Sequence, residues 1–114
     1  MSKTDSKNHS KTIRDLNDAF RRSFVGGRVV QTCGIVELPS DVRAKVIQCV
    51  STFDAFSADN DPHGEHDFGA FEVAGQKFFF KIDYYDKTLE SGSQNPADPT
   101  ITTRVLTIML AEEY

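Results

Sequence analysis

The sequence predicts an α+β fold, with a small single-layer antiparallel sheet of three to four strands packed against two helices. Three observations predict this class. Two segments in the N-terminal half carry apolar residues at helical spacing, and a pair of β-rich segments in the second half has the pattern of a hairpin. The composition of 114 residues, 39% hydrophobic with nine Phe and no Trp, suits one modest core.

The first helix follows a polar segment. Residues 1–11 lack the apolar side chains that could offset the entropy of ordering the backbone, which predicts a disordered leader followed by a single domain over residues 12–114. Thr12 and Asp15 stand where a capping pair would, and Gly26-Gly27 supplies the stop. The predicted buried face of this helix comprises Ile13, Leu16, Phe20 and Phe24.

A strand and a second helix come next. Arg28–Leu38 is β-branched and interrupted at Gly34, which predicts a strand with a bulge or bend there. Ser40 then caps a helix that runs to about Phe56. Its predicted buried stripe is Val42, Val46, Cys49, Val50 and Phe53. We interpret Cys49 and Cys33 as core residues.

Residues 69–74 and 77–85 form the predicted hairpin, with a turn near Gly75-Gln76. Pairing Val73 with either Gln76 or Phe78 leaves the same apolar face: Phe71, Val73, Phe78, Phe80, Ile82 and Tyr84. Both registers place His66 on the opposite, polar face, near Asp83 or Tyr85.

The C-terminal segment leaves two alternatives open. Residues 91–99 are rich in turn formers and predict an exposed connection. Thr103–Leu110 is β-branched and apolar, which favours a fourth strand, although Asp98-Pro99 would also start a helix well.

Charge and cysteine content exclude some classes of function. Seventeen acidic against thirteen basic residues give a net charge of −4, which does not favour direct binding to nucleic acid. Two cysteines and a polar N-terminus indicate a reduced, cytoplasmic protein. No apolar run approaches the roughly 18 residues that would suggest a membrane span.

The loop from Asn60 to Gly69 is the most informative segment, because it concentrates ionisable side chains between residues that bend the backbone. Together with the end of the hairpin it defines a candidate functional cluster. The members are Asp61, His63, Glu65, His66, Asp67, Lys81, Asp83 and Tyr85.

Imidazoles and carboxylates this close in sequence also suggest a divalent metal site at His63, His66 and Asp67. A calcium loop fits less well, since the position of the closing carboxylate is Ala70. One alternative is an organic-ligand or catalytic pocket, and another is structural, with Asp59, Asn60 and Asp61 capping turns and the histidines solvated.

Four segments carry a resemblance to a known family: residues 16–28, 60–69, 81–86 and 104–114. In this order they resemble the bacterial domain of unknown function 3768, small proteins typical of alphaproteobacteria and often of their mobile elements. The resemblance implies a stand-alone cytoplasmic domain. It assigns no activity, cofactor or site residue.

Two hypotheses for function follow. The first is a binding or regulatory module, such as a plasmid or phage accessory factor, that engages a protein partner through the acidic loop and the Phe79, Lys81, Asp83 and Tyr85 face. The alternative is a small metal-dependent enzyme of hydrolase type, centred on the loop over residues 59–67. The sequence leaves the oligomeric state undetermined.

Overall fold

The elements of the fold follow the predicted order of helices and strands. The structure is a computed structural model that describes residues 3–114, with side chains from His9 onward. The elements are α1 (Lys3–Ser23), β1 (Gly27–Gln31), α2 (Cys33–Val36), α3 (Ser40–Thr52), β2 (Phe68–Val73), β3 (Gln76–Tyr85), β4 (Thr103–Leu110) and a 3₁₀ turn at Ala111–Glu113. The predicted α+β class is confirmed.

The sheet has the order β1-β4-β3-β2 and is mixed. β2 pairs with β3, and β3 with β4, in antiparallel fashion, whereas β1 runs parallel to β4. Three strands thus form the predicted antiparallel sheet, and β1 differs from the prediction by joining it in parallel at one edge. Hairpins force neighbouring strands to be antiparallel, but β1 and β4 lie far apart in the chain, and a long connection permits either direction.

The first helix is longer than its sequence pattern predicts. Its backbone is helical from Lys3, so residues 3–11 continue the helix where a disordered leader was predicted, and Met1 and Ser2 lie outside the described residues. Once the buried turns from Ile13 onward anchor a helix, adding residues at its N-terminus needs no new nucleus. The helix ends at Ser23, and Phe24 follows in a left-handed conformation.

The predicted strand over residues 28–38 is only half correct. β1 ends at Gln31, and α2 then turns Ile35 into the core. Gly34 lies in α2, where an added Cβ would clash with the side chains of Leu110 and Glu113. Cys33 is exposed at the start of α2, so its assignment to the core is wrong.

The third helix is shorter than predicted. It ends at Thr52, and Phe53 has extended backbone angles. Pro39, rather than Ser40, occupies the N-cap, without a side-chain hydrogen bond. The extended segment turns Phe53 and Phe56 toward the core, where the edge of the Phe53 ring meets Phe80 at a centroid distance of 5.3 Å.

The hairpin has one of the two predicted registers, with Val73 opposite Gln76 and Phe71 opposite Phe78. The turn residues are Ala74 and Gly75, one position before the predicted pair. Both have positive φ, 52° and 79°, as a two-residue type I′ turn requires. Thr103–Leu110 is a strand, as favoured by its sequence.

The helices bury one face of the sheet. The core consists of Phe20, Ile35, Val46, Val50, Phe78, Phe80, Ile82, Leu106 and Ile108. Gly69 permits this packing, because a Cβ there would clash with the rings of Phe80 and Phe53. None of the described helices is both long and apolar enough to cross a membrane.

We call the other side of the sheet the open face. By strand alternation it carries Phe68 from β2, Phe79, Lys81, Asp83 and Tyr85 from β3, and Val105, Thr107 and Met109 from β4. Among these residues only Met109 is buried. The core residues of the three helices all pack on the opposite side.

Candidate functional site

The predicted cluster separates into two groups on opposite sides of the sheet. Asp61, Glu65 and His66 contact α1 or the residues packed on it. Lys81 and Asp83 lie on the open face, where their Nζ and Oδ2 atoms form an ion pair 3.0 Å apart. Tyr85 is half-buried on the same face, and His63 is exposed.

The prediction that His66 lies on the polar face of the hairpin is wrong. His66 adopts φ of 56°, which redirects the chain before β2 begins at Phe68. Its ring instead stacks on Phe56, with the centroids 3.8 Å apart and the planes 4° from parallel. Strand alternation extrapolated beyond Phe68 therefore failed, because the chain is no longer extended there.

Carboxylates flank the His66 ring on both sides. Nδ1 lies 2.9 Å from Oδ1 of Asp18 on α1, and Nε2 lies 3.7 Å from Oδ2 of Asp61. With Asp18 ionised, a protonated Nδ1 donates this hydrogen bond. The contact joins the acidic loop to α1.

Asp61 holds the loop in its bent conformation. Its buried carboxylate accepts hydrogen bonds from the backbone amides of Glu65 and His66, at 3.1 and 3.2 Å. Positive φ is unfavourable for a residue with a side chain, so the surrounding contacts must stabilise His66 in this state. This confirms the structural interpretation of Asp61, which had been one alternative for the loop.

A second set of polar contacts surrounds Asn17, which is fully buried on α1. Its Nδ2 donates to the carbonyl oxygen of Glu65 at 2.9 Å and to the hydroxyl of Tyr84 at 2.8 Å. Its Oδ1 accepts from Nε of Arg104 at 2.7 Å. The Tyr84 hydroxyl in turn donates to Oε1 of Glu65, at 2.9 Å.

Arg21 completes these contacts from the last turn of α1. One guanidinium nitrogen donates to the carbonyls of Val50 and Phe53, each at 2.8 Å, and the other to Asp18 at 3.1 Å. The two carbonyls belong to the C-terminal end of α3, where helix carbonyls lack partners. Arg21 therefore caps α3 with a buried cation. Its Nε is the one buried side-chain nitrogen or oxygen, among the described residues, that has no hydrogen-bond partner.

We call these connected residues the polar network. It comprises Asn17, Asp18, Arg21, Asp61, Glu65, His66, Tyr84 and Arg104. Burial lowers the pKa of both Arg21 and Arg104, and raises the pKa of the Tyr84 hydroxyl. Burial, followed by repulsion from Glu65, also raises the pKa of Asp67.

The geometry does not assemble the predicted metal ligands. Among the residues that the structure describes, no group of three or more His, Cys, Asp or Glu side chains is placed to hold a metal ion. His66 is directed at Asp18 and Asp61, whereas His63 faces solvent. The network residues bond to one another, and this arrangement stabilises the junction of α1, the loop and the sheet.

The open face carries an aromatic cluster of a different kind. Phe68 and Phe79 pack at a centroid distance of 5.1 Å. The ring of Tyr114 is nearly perpendicular to both, with centroid distances of 6.1 Å to Phe68 and 5.6 Å to Phe79. Tyr114 is nevertheless 75% exposed. Nζ of Lys77 lies 5.6 Å from the Phe79 centroid.

Five members of the network lie outside the predicted cluster: Asn17, Asp18, Arg21, Tyr84 and Arg104. A signal was present for two of them, since Asn17 and Arg21 recur at helical spacing with Ile13 and Phe20 on the buried face of α1. A polar residue within an apolar stripe requires a buried partner. Nothing in the spacing indicated that the partners would come from the loop and β4.

A comparison with protein families matches residues 31–113 to the family described as "Protein of unknown function (DUF3768)". The chain belongs to this family. No curated protein and no solved structure shows significant similarity to it. The DUF3768 match begins at the last residue of β1, so α1 and nearly all of β1 precede it. The contacts that Asn17 and Asp18 make with the loop therefore come from outside the matched segment.

Proposed function

We propose that this DUF3768 protein is a binding module that engages a protein partner through the open face of its sheet. The observation that carries this proposal is the aromatic cluster of Phe68, Phe79 and Tyr114, which lies on the side of the sheet opposite the helices. Clustered aromatic side chains are enriched where proteins bind one another.

Charged groups around the cluster support a specific partner. Lys77 lies over Phe79, and Lys81 pairs with Asp83 at about one-third exposure of each side chain. An aromatic centre with a polar rim is the usual arrangement of a protein–protein interface. The acidic loop is less suited to this role, since its Asp61, Glu65 and His66 are engaged within the molecule.

The cellular setting is also part of the proposal. We place the protein in the bacterial cytoplasm, as an accessory factor of a mobile element. The family resemblance supports the bacterial setting, and the two free cysteines support a reducing compartment.

Photo-crosslinking in the host tests the partner surface. A photoreactive phenylalanine analogue replaces Phe79 in one variant and exposed Gln48, on α3, in a matched control. We expect an adduct with a distinct host protein from position 79 and none from position 48. A charged substitution, Phe79→Glu, should reduce recovery of that partner by roughly tenfold or more, because it places a carboxylate in an apolar contact.

Thermal unfolding of each variant separates lost binding from lost structure. Equal adduct formation at both positions, or none at position 79 in a folded variant, would refute the open face as the binding surface. An adduct between two copies of this chain would show that the open face binds a second copy rather than a different protein.

A further inference from the structure

β1 forms an unpartnered edge of the sheet. Within residues 3–114 it pairs only with β4, and four of its five residues are exposed. An edge strand presents free amides and carbonyls to any other strand. Natural edges are often protected by Lys, Pro or a bulge, whereas β1 has none of these and its one charged residue is Arg28.

Exposed apolar side chains concentrate around this edge. Among the described residues, six large hydrophobic side chains are exposed, and four of them lie within or beside β1. These are Val25, Val29, Val30 and Val36, with exposures of 75, 37, 45 and 52%. Exposed apolar side chains that cluster on a surface mark sites where another protein binds.

Pairing with β4 determines which amides of β1 are free. The amide of Thr32 donates to the carbonyl of Ile108 at 3.2 Å, so Thr32 points toward β4. In a parallel pair, alternate residues point to the same neighbour, so Val30 and Arg28 also face β4. The amides and carbonyls of Gly27, Val29 and Gln31 therefore point away from the sheet.

We propose that β1 pairs with β1 of a second copy of this chain, antiparallel and centred on Val29. This register places Val29 opposite Val29 and Gly27 opposite Gln31, so all three outward residues form hydrogen-bonded pairs. The result is one continuous sheet across both copies. A register displaced by one residue would bring inward-facing amides opposite outward-facing ones.

Side-chain placement favours a second copy as the occupant. Arg28 lies opposite Val30 of the second copy, so like charges are not directly opposed. Two-fold symmetry about Val29 directs Val25 of each copy toward the end of the strand where α2 of the other begins. Val36 is exposed in α2, so this arrangement brings Val25 of one copy to the same end of the paired strands as Val36 of the other.

Sedimentation of the full chain over a range of concentrations tests the dimer. We expect wild type to sediment at twice the mass of one chain, and Val29→Pro to weaken association by roughly tenfold or more, because proline removes the central outward amide. That amide points away from β4, so the variant should retain its circular dichroism spectrum.

The other edge of the sheet provides a matched control. The amide of Ile82 donates to the carbonyl of Asp67, which makes Gly69 inward-facing and leaves the amide of Ala70 pointing outward from β2. Ala70→Pro should dimerise like wild type. The proposal would be overturned if Ala70→Pro lost the dimer while Val29→Pro kept it. It would also be overturned if wild type were a monomer at every concentration.

Chemical crosslinking gives a second measurement that does not depend on proline. In a background of Cys33→Ser and Cys49→Ser, a short bismaleimide reagent should link two copies of Val29→Cys and leave Ala70→Cys monomeric. Equal crosslinking of both variants, or none of Val29→Cys, would contradict pairing at β1.

Discussion

The Asp67 carboxyl is half-buried at the start of β2, and burial together with Glu65 raises its pKa. The fold thus favours the protonated form. The protonated Asp67 side chain makes its full contribution to stability below the pKa that this carboxyl has in the unfolded chain. That contribution is lost as the pH rises through the higher pKa of the folded state. Ionised Asp67 therefore opposes folding at neutral pH.

Replacing Asp67 with Asn should remove this opposition. We expect Asp67→Asn to have a higher free energy of unfolding than wild type at pH 7, with a difference that shrinks as the pH falls below the usual range of carboxyl groups. Denaturation at several pH values measures it. Asp59→Asn, which removes an exposed carboxyl from the same loop, controls for net charge. A difference that is independent of pH would show that burial of the charge is not the cause.

Arg21 shows why single residues were predicted less well than elements. It lies in the last turn of α1, where a cation would favour the C-terminus of that helix, but the carbonyls it binds belong to the end of α3. A helical periodicity specifies which face a residue occupies. It does not specify which distant segment packs against that face.

At the scale of elements, the hairpin was predicted best, because strand alternation and a two-residue turn leave few registers. α2 was predicted worst. Its residues have β-branched composition and so resemble a strand, yet burial of Ile35 and the close contact at Gly34 select a helical turn. Four residues are too few for periodicity to distinguish the two.

The hairpin turn also offers a stabilising substitution. Ala74 has φ of 52°, a conformation that costs a residue with an ordinary side chain roughly 1–2 kcal/mol. Ala74→Asn creates the Asn-Gly sequence that type I′ turns favour, and we expect a gain of about 1 kcal/mol in the free energy of unfolding.

Chemical denaturation measures this gain, and Ala44→Asn provides a control with the opposite sign. Ala44 is exposed within α3, where asparagine should cost about 0.5 kcal/mol through its lower helix propensity. A loss of stability in Ala74→Asn would indicate that the turn tolerates alanine for a reason other than its backbone conformation.

The whole molecule depends on a helix that precedes the DUF3768 match. α1 contributes buried Phe20, Asn17 and Arg21, and these residues contact the core, the loop and the end of α3. Removing α1 would expose one side of the core and leave buried polar groups without partners. Total stability is about 5–15 kcal/mol for a typical domain, so losses of this kind are decisive.

Shortened chains test this dependence. A chain that begins at residue 12 should unfold cooperatively with a free energy within about 1 kcal/mol of the full chain, because the removed residues are polar. A chain that begins at residue 27 should show no cooperative transition by circular dichroism or by tyrosine fluorescence. Cooperative unfolding of the second chain would mean that the matched segment and its short leading strand fold without α1.

The sequence by itself determined the α+β class, the family, the order of the main helices and strands, and the apolar face of the hairpin. The class, the order of elements and the hairpin face follow from local periodicity and turn chemistry, which act within a few residues, whereas the family follows from the resemblance of four segments. Only the tertiary structure decided that β1 is parallel to β4, that His66 lies against Asp18 and Phe56, and that the predicted cluster divides across the sheet. Such contacts join segments tens of residues apart, and their partners are selected by packing and by the satisfaction of buried polar groups.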